Sequence, residues 1–283
     1  MAGEAAPPRQ AFGGRELGLR VLSGIVLAAL VVAGLVLGGW PFAGIWLAAG
    51  IVGAAEWIGM SRTGPRRALL GIVALTLAAL VVCLEEALPL AWGLGILALG
   101  SLLCLALART GPGRLRALGA LLGGAVIALV PPALRDTPEI GILGPAWMFA
   151  VVWSTDVVAY FTGRTFGGPK LMPAVSPKKT WSGALGGLAG AVLAGTALVV
   201  LARAQGWSPL AQTSLALVAL VSAAASVLSQ AGDLLESALK RHYGVKDSGR
   251  SIPGHGGVMD RLDGFFAVAL LAGLYLVAHR LAA

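Results

Sequence analysis

The sequence predicts an all-α, polytopic integral membrane protein with about nine transmembrane helices, and three observations carry that prediction. Hydrophobic residues fill 57% of the 283 positions and charged residues only 12%, about half of the ~25% typical of a soluble domain. Apolar runs long enough to cross a hydrocarbon core of about 30 Å, each needing roughly 20 helical residues, recur along the whole chain. Basic residues gather at alternate ends of those runs, the pattern that orients membrane helices.

The runs fall near 17–38, 40–60, 67–84, 88–108, 115–134, 139–161, 182–204, 210–239 and 262–280. The first follows a polar stretch of 16 residues and is longer than the apolar part of a cleaved signal peptide, so it reads as a retained span. The second carries Glu56. An intramembrane carboxylate is costly, and a functional role, a structural partner and a shallow interfacial position are all open for it. Glu85 and Glu86 fall at a loop and read as solvated. Cys83 and Cys104 lie inside apolar runs, where free cysteines behave as small hydrophobes; with no other cysteines, the sequence argues against a disulfide framework or a thiolate zinc site. Residues 1–138 therefore read as a transmembrane scaffold of about five spans.

From 139 to 283 the character changes: polar groups enter the spans, and two inside loops of about 20 residues begin near Thr162 and Lys240. Long loops in compact proteins tend to carry function. The sixth span ends in WSTDVVAYFTGRTFGG, with Asp156 inside it as an intramembrane acid and Arg164 or a ligand as its candidate partner. The loop after it contains SPKKTWSG, residues 176–183. Pro177 stiffens a turn there, and Lys178, Lys179 and Thr180 offer two ammoniums and a hydroxyl before a helix start, which suits a polyphosphate. Lysines that obey topology or touch anionic headgroups are the alternative. Gly183-x-x-x-Gly187 and Gly186-x-x-x-Gly190 permit close helix packing, within the chain or between the copies of a homodimer.

The eighth span ends in SQAGDLLESALKRHYGVKD. Asp233, Glu236 and Lys240 share one helical face there. They are open to two readings: a solvated helix end with an internal ion pair, or carboxylates compensated by a bound cation. Before the last span comes GHGGVMDRLDG, residues 254–264. Gly254, Gly256 and Gly257 let the backbone turn sharply, and Asp260 and Asp263 stand one helical turn apart. Acids are ordinary in a first helical turn, yet together with Asp233 they can form the oxygen-rich site that Mg²⁺ prefers. His242, His255 and His279 are too scattered for a metal cluster; His255 reads as a loop residue able to hydrogen-bond phosphate.

The net charge of +8 does not mark a nucleic-acid binder. With the N-terminus inside, 18 of the 21 basic residues, all but Arg135, Arg203 and Arg280, fall on the inner side, as topology alone demands. The expectation is a cytoplasmic (inner) membrane protein with the N-terminus and both long loops cytosolic and the C-terminus opposite. Phosphate-loop and nucleophile-elbow motifs are absent. Gly93-x-Gly95-x-x-Ala98 fits a loose dinucleotide pattern but sits mid-membrane without a strand–helix–strand context.

The run Ser229-Gln230-x-Gly232-Asp233-Leu234-x-Glu236-Ser237-x-x-Lys240-Arg241, then Lys246-Asp247-Ser248, then Pro253-Gly254-His255-Gly256-Gly257-x-x-Asp260-Arg261-x-Asp263 closely resembles the signature of the phosphatidate cytidylyltransferases, or CDP-diacylglycerol synthases. The block from Asp156 to Gly187 is also similar to that family. Two positions depart from it: Val157-Val158 follows Asp156 where many members have Thr-Gly or Ser-Gly, and Ser182 stands where they often have Glu or Gln. That change weakens any role for position 182 as a catalytic acid or metal ligand.

The resemblance implies transfer of CMP from CTP to phosphatidate with Mg²⁺, alone or with a second cation. It implies that Asp233 and Asp260 hold the metal, with Asp263 and Glu236 in support. Lys178, Lys179 and the Ser176–Thr180 turn would hold CTP phosphates; Lys240, Arg241 and Arg261 would meet the lipid phosphate or the departing pyrophosphate. Asp156, Arg164, Lys246, His255, Gly256 and Gly257 complete the expected substrate site, and the acyl chains stay among the spans. A CTP-dependent lipid-alcohol kinase would use similar groups. A secondary transporter would tend to show an internal repeat, and the two halves show none.

Overall fold

The computed structural model describes residues 14–207 and 209–282; Arg9 and most of the polar N-terminal stretch lie outside them. Among the described residues, nine α-helices stand where the apolar runs stand: α1 (Gly14–Leu37), α2 (Gly39–Met60), α3 (Arg66–Glu85), α4 (Leu90–Leu107), α5 (Gly111–Asp136), α6 (Leu143–Phe166), α7 (Trp181–Gln205), α8 (Leu215–His242) and α9 (Met259–Ala282). Seven, α2 to α5 and α7 to α9, are long and apolar enough to cross a membrane. α6 has the length at 24 residues but carries Thr155, Asp156, Thr162 and Arg164 in its second half.

α6 and α8 extend further than the apolar pattern suggests, ending at Phe166 and His242. Arg164, Lys240 and Arg241 occupy their last turns, where cations complement the helix dipole and continue the helix past its apolar part. The connections are correspondingly shorter than expected. The first contains an antiparallel hairpin of β1 (Lys170–Met172) and β2 (Ser176–Thr180), with Lys170 opposite Thr180 and Met172 opposite Ser176. Ser176–Thr180 is thus a strand and not the expected turn. The chain reverses at Pro173-Ala174-Val175, and Pro177, with its fixed φ, suits an edge strand.

Glycines set the closest helix approaches. A Cβ on Gly187 would stand 2.8 Å from the Thr155 carbonyl, and one on Gly183 2.9 Å from the Ala159 carbonyl, so the α7 glycine stripe is filled by α6 of the same chain. A homodimer would have to use another face. On the other side of the bundle, a Cβ on Gly50 of α2 would lie 2.7 Å from the Gly124 carbonyl of α5.

Helices from both halves of the chain meet in one core. Trp46 of α2 stacks on Phe265 of α9 with ring centroids 4.8 Å apart, and Phe149 of α6 lies 5.6 Å from Phe265; such pairs add about 0.5–1.5 kcal/mol beyond their burial. Buried hydroxyls tie α6 to α8: Thr155 Oγ1 donates to Ser226 Oγ at 3.0 Å, and Trp147 Nε1 donates to Ser222 Oγ at 3.0 Å. Arg116, before α5 leaves its basic end, lies over the Tyr243 ring at 5.4 Å, and Ser23 of α1 meets His255. The basic connections therefore share one end of the bundle. Arg135 lies at the other, donating to the Leu35 carbonyl at 3.0 Å.

Gly187→Leu is expected to cost ~1–3 kcal/mol through overpacking, read as a lower Tm of detergent-purified protein. Gly53→Leu, whose Cβ meets nothing within 4 Å, should leave Tm unchanged.

Candidate active site

The last two turns of α8 and the first two of α9 bring carboxylates and lysines together. Lys240 Nζ lies 2.8 Å from Asp260 Oδ1 and 3.5 Å from Glu236 Oε2, with all three side chains largely withdrawn from solvent. Asp260 also accepts from the Gly257 N–H at 2.8 Å and the Ser248 N–H at 3.0 Å. Charge-assisted bonds of this kind are about twice as strong as neutral ones, so this one carboxylate joins α8, α9 and the glycine loop. Asp233 is ion-paired with Lys179 from the end of β2 and also receives a 3.4 Å contact from Ser237 Oγ.

Asp263 stands beside Glu236, with its Oδ1 accepting from the Gly264 N–H at 2.7 Å. Asp156 on α6 is exposed and within electrostatic reach of Asp233, Asp263, Lys179 and Arg261. Five acids, Asp156, Asp233, Glu236, Asp260 and Asp263, thus face three cations, Lys179, Lys240 and Arg261. Both Glu236 carboxylate oxygens are buried, with only the 3.5 Å contact of Lys240 and the neighbouring Asp263 side chain to compensate them. Among the described residues no three His, Cys, Asp or Glu side chains form a ready metal cage. Mg²⁺, however, takes one or two carboxylates and completes its octahedron with waters and substrate phosphates; the donor set and the excess of acid fit it.

The glycine-rich loop wraps two carboxylates. Gly254 and Gly256 have φ of 76° and 83°, left-handed values that favour glycine. Gly256 accepts from the Ile252 N–H at 2.9 Å, and a Cβ on Gly257 would stand 2.5 Å from Glu56 Oε2. Glu56, 7% exposed, accepts from Ser248 Oγ at 3.1 Å, Ser251 Oγ at 2.5 Å, the Val258 N–H at 3.0 Å and the Met259 N–H at 2.8 Å. Its charge inside an apolar run was the only sequence signal for this role.

Several expected ligand groups have other partners. Thr180 caps α7, accepting from the Gly183 N–H at 3.1 Å, and pairs with Ser182 Oγ at 3.0 Å; Ser182 donates in turn to the Gly167 carbonyl. Ser176, in β2, is half-buried. His255 Nδ1 is 2.8 Å from Ser23 Oγ, which turns the ring toward α1. Arg164 donates to Tyr160 Oη at 2.9 Å and not to Asp156, which lies more than two helical turns back along α6. Arg241 donates to the Val245 carbonyl at 3.3 Å. Lys178, Lys246 and Arg261 are exposed at this end.

An apolar cavity of about 410 Å³ opens between α2, α5, α8 and α9. Its floor is kept open by Gly53, Gly119 and Gly123, and Glu236 and Asp263 form part of its wall. A larger cavity of about 630 Å³, lined by residues such as Leu134, Trp147 and Tyr275, has no charged side chain on its wall.

A bundle of membrane-length helices with an acid and lysine cluster at one end, opening to an apolar groove, defines an integral membrane protein. Residues 18–279 match the model of the Cytidylyltransferase family, and the chain belongs to that family. Among curated proteins it is similar to the phosphatidate cytidylyltransferase of Brucella abortus biovar 1 (strain 9-941), 49% identical over 149 residues, 52% of each chain. The protein of that name from Bacillus subtilis (strain 168) is 43% identical over 135 residues, 48% of each chain. That from Staphylococcus saprophyticus is 39% identical over 144 residues, 51% of this chain and 53% of its own. The chain spans about half the length of the curated relatives it matches.

Lys240→Met would leave Asp260 and Glu236 buried without their counter-charge, a loss of ~3–5 kcal/mol by the usual cost of breaking a buried pair. Thermal unfolding should show it as a markedly lower Tm. The exposed Lys178→Met should change stability by no more than ~0.5 kcal/mol.

Proposed function

We propose that this protein transfers CMP from CTP to phosphatidate, giving CDP-diacylglycerol and pyrophosphate, the activity that the names of its relatives carry. The observation that supports this most directly is the position of the acids and lysines. They form the polar end of an apolar groove, where a water-soluble nucleotide and a membrane lipid can meet.

The chemistry asks for little more. The second pKa of a phosphate monoester is near 6, so the attacking phosphatidate oxygen is already largely an anion at neutral pH and needs no protein base. It forms a bond to the α-phosphorus of CTP as the bond to the β-phosphate oxygen breaks, and pyrophosphate leaves. The difficulty is bringing two anions together, which calls for fixed positive charge. Mg²⁺, alone or with a second cation, would be held by Asp233 and Asp260, with Asp263 and Glu236 in support, and would supply positive charge along the phosphates.

Lys179 and Lys240 are held in reserve by those same acids. A cation held by those acids would leave both ammoniums free to meet the substrate phosphates. Lys178, Arg241, Lys246 and Arg261, exposed at the same end, add charge that attracts the incoming nucleotide. The groove between α2, α5, α8 and α9 receives acyl chain. In this reading residues 1–138 serve as the scaffold and 139–283 carry the reaction. The basic end faces the cytosol, with the C-terminus across the membrane.

The test is a purified preparation given Mg²⁺, phosphatidate and CTP labelled at either the α- or the γ-phosphate. Label from the α-position should enter lipid with one pyrophosphate released per turnover, and Asp260→Asn should abolish it; transfer of γ-label would instead establish a lipid kinase. Gly53→Leu, which fills the groove, should raise KM for phosphatidate by about tenfold, the loss of ~1.4 kcal/mol of binding, and leave KM for CTP unchanged.

A further inference from the structure

We infer that Glu56 is a positioning residue for the reaction: it anchors the 248–259 loop permanently, so that Asp260 can exchange its protein partners for a cation. The inference rests on the reading of Asp260 as the group that meets that cation.

The two carboxylates grip the same loop from opposite sides. Ser248 gives its hydroxyl to Glu56 and its N–H to Asp260. At the other end of the loop, the Gly257 N–H goes to Asp260, and the next two N–H groups, of Val258 and Met259, go to Glu56. If Asp260 alone held the loop, engaging a cation would release the segment that positions Asp260 itself. With Glu56 in place, the loop keeps four bonds whatever Asp260 does.

The chemistry of the side chain suits a fixed anchor. An ionised carboxylate has about four acceptor sites and no donor, and four donors converge on this one. All four are neutral, and among the described residues no Lys or Arg forms an ion pair with Glu56. A glutamine would present an NH₂ group to donors. Trp57, the next residue, secures the start of the same connection: its Nε1 donates to the Arg116 carbonyl at 2.8 Å, and its ring meets Tyr243 edge-on at 6.1 Å. The end of α2 thus holds both ends of the α8–α9 connection.

The experiment compares wild type, Glu56→Gln, Ser251→Ala and the double variant, with the exposed Glu86→Gln as control. Two readouts are taken: amide hydrogen exchange over 248–259, which needs no substrate, and the Mg²⁺ concentration for half-maximal CMP transfer. Glu56→Gln should speed exchange at Val258 and Met259 by about tenfold or more, since it takes a full-strength acceptor from two buried N–H groups. The half-saturating Mg²⁺ should rise several-fold in the same variant, with KM for phosphatidate unchanged. Ser251→Ala should shift both readouts less, and add nothing in the Glu56→Gln background, as expected of partners in one bond.

Unchanged exchange at Val258 and Met259, or faster exchange with an unchanged Mg²⁺ requirement, would overturn the inference. Should Glu56→Gln fail to fold, Ser251→Ala decides by the same two criteria. Wild-type protein inactive on phosphatidate would instead refute the proposed reaction, and the exchange data would still report whether Glu56 anchors the loop.

Discussion

The Asp260 carboxylate is the point on which the functional end of the molecule hangs. One ammonium and two backbone N–H groups converge on it. Through them α8, α9 and the connection between them become a single body. A carboxylate placed this deep is costly unless it is compensated, and every neighbouring feature supplies compensation: Lys240 on the adjacent helix, the left-handed glycines that let the loop close, and the dipole at the start of α9. The acids outnumber the cations around it. In the proposed reading, that excess of negative charge is what a divalent ion would balance.

The same acids engage both lysines. Paired with Asp233 and with Asp260, Lys179 and Lys240 hold the site together without ligand. Their positive charge is thereby neutralised at the basic end of the bundle. In the proposed reading a metal would take their place on the acids and leave both ammoniums near the substrate phosphates. The groove alongside is apolar except where Glu236 and Asp263 form its wall.

Much of this was legible in the sequence, for identifiable reasons. The helices could be placed because bilayer thickness fixes the length of an apolar run, and Asp233, Glu236 and Lys240 could be placed on one face because helical spacing leaves little choice. The ends of α6 and α8 were not, since polar last turns look like loop. The 170–180 hairpin was missed because its strands are short and their composition, rich in Pro and Lys, is that of a turn. Glu56 announced itself as an anomaly, but its partners lie 192 to 203 residues away. No local pattern reports a contact of that separation. Nor could the residue list show that Thr180 and His255 are already engaged, by α7 and by Ser23.

The central claim is that these acids hold a divalent cation by exchanging it for lysine. It is tested most directly by electron paramagnetic resonance of Mn²⁺ titrated into the purified protein with CTP, in wild type and in Asp233→Asn and Asp260→Asn. The account predicts bound Mn²⁺ in the wild type, with binding weakened by each substitution by roughly tenfold or more, as the loss of a metal-holding group entails. Equal Mn²⁺ binding in all three proteins would contradict it.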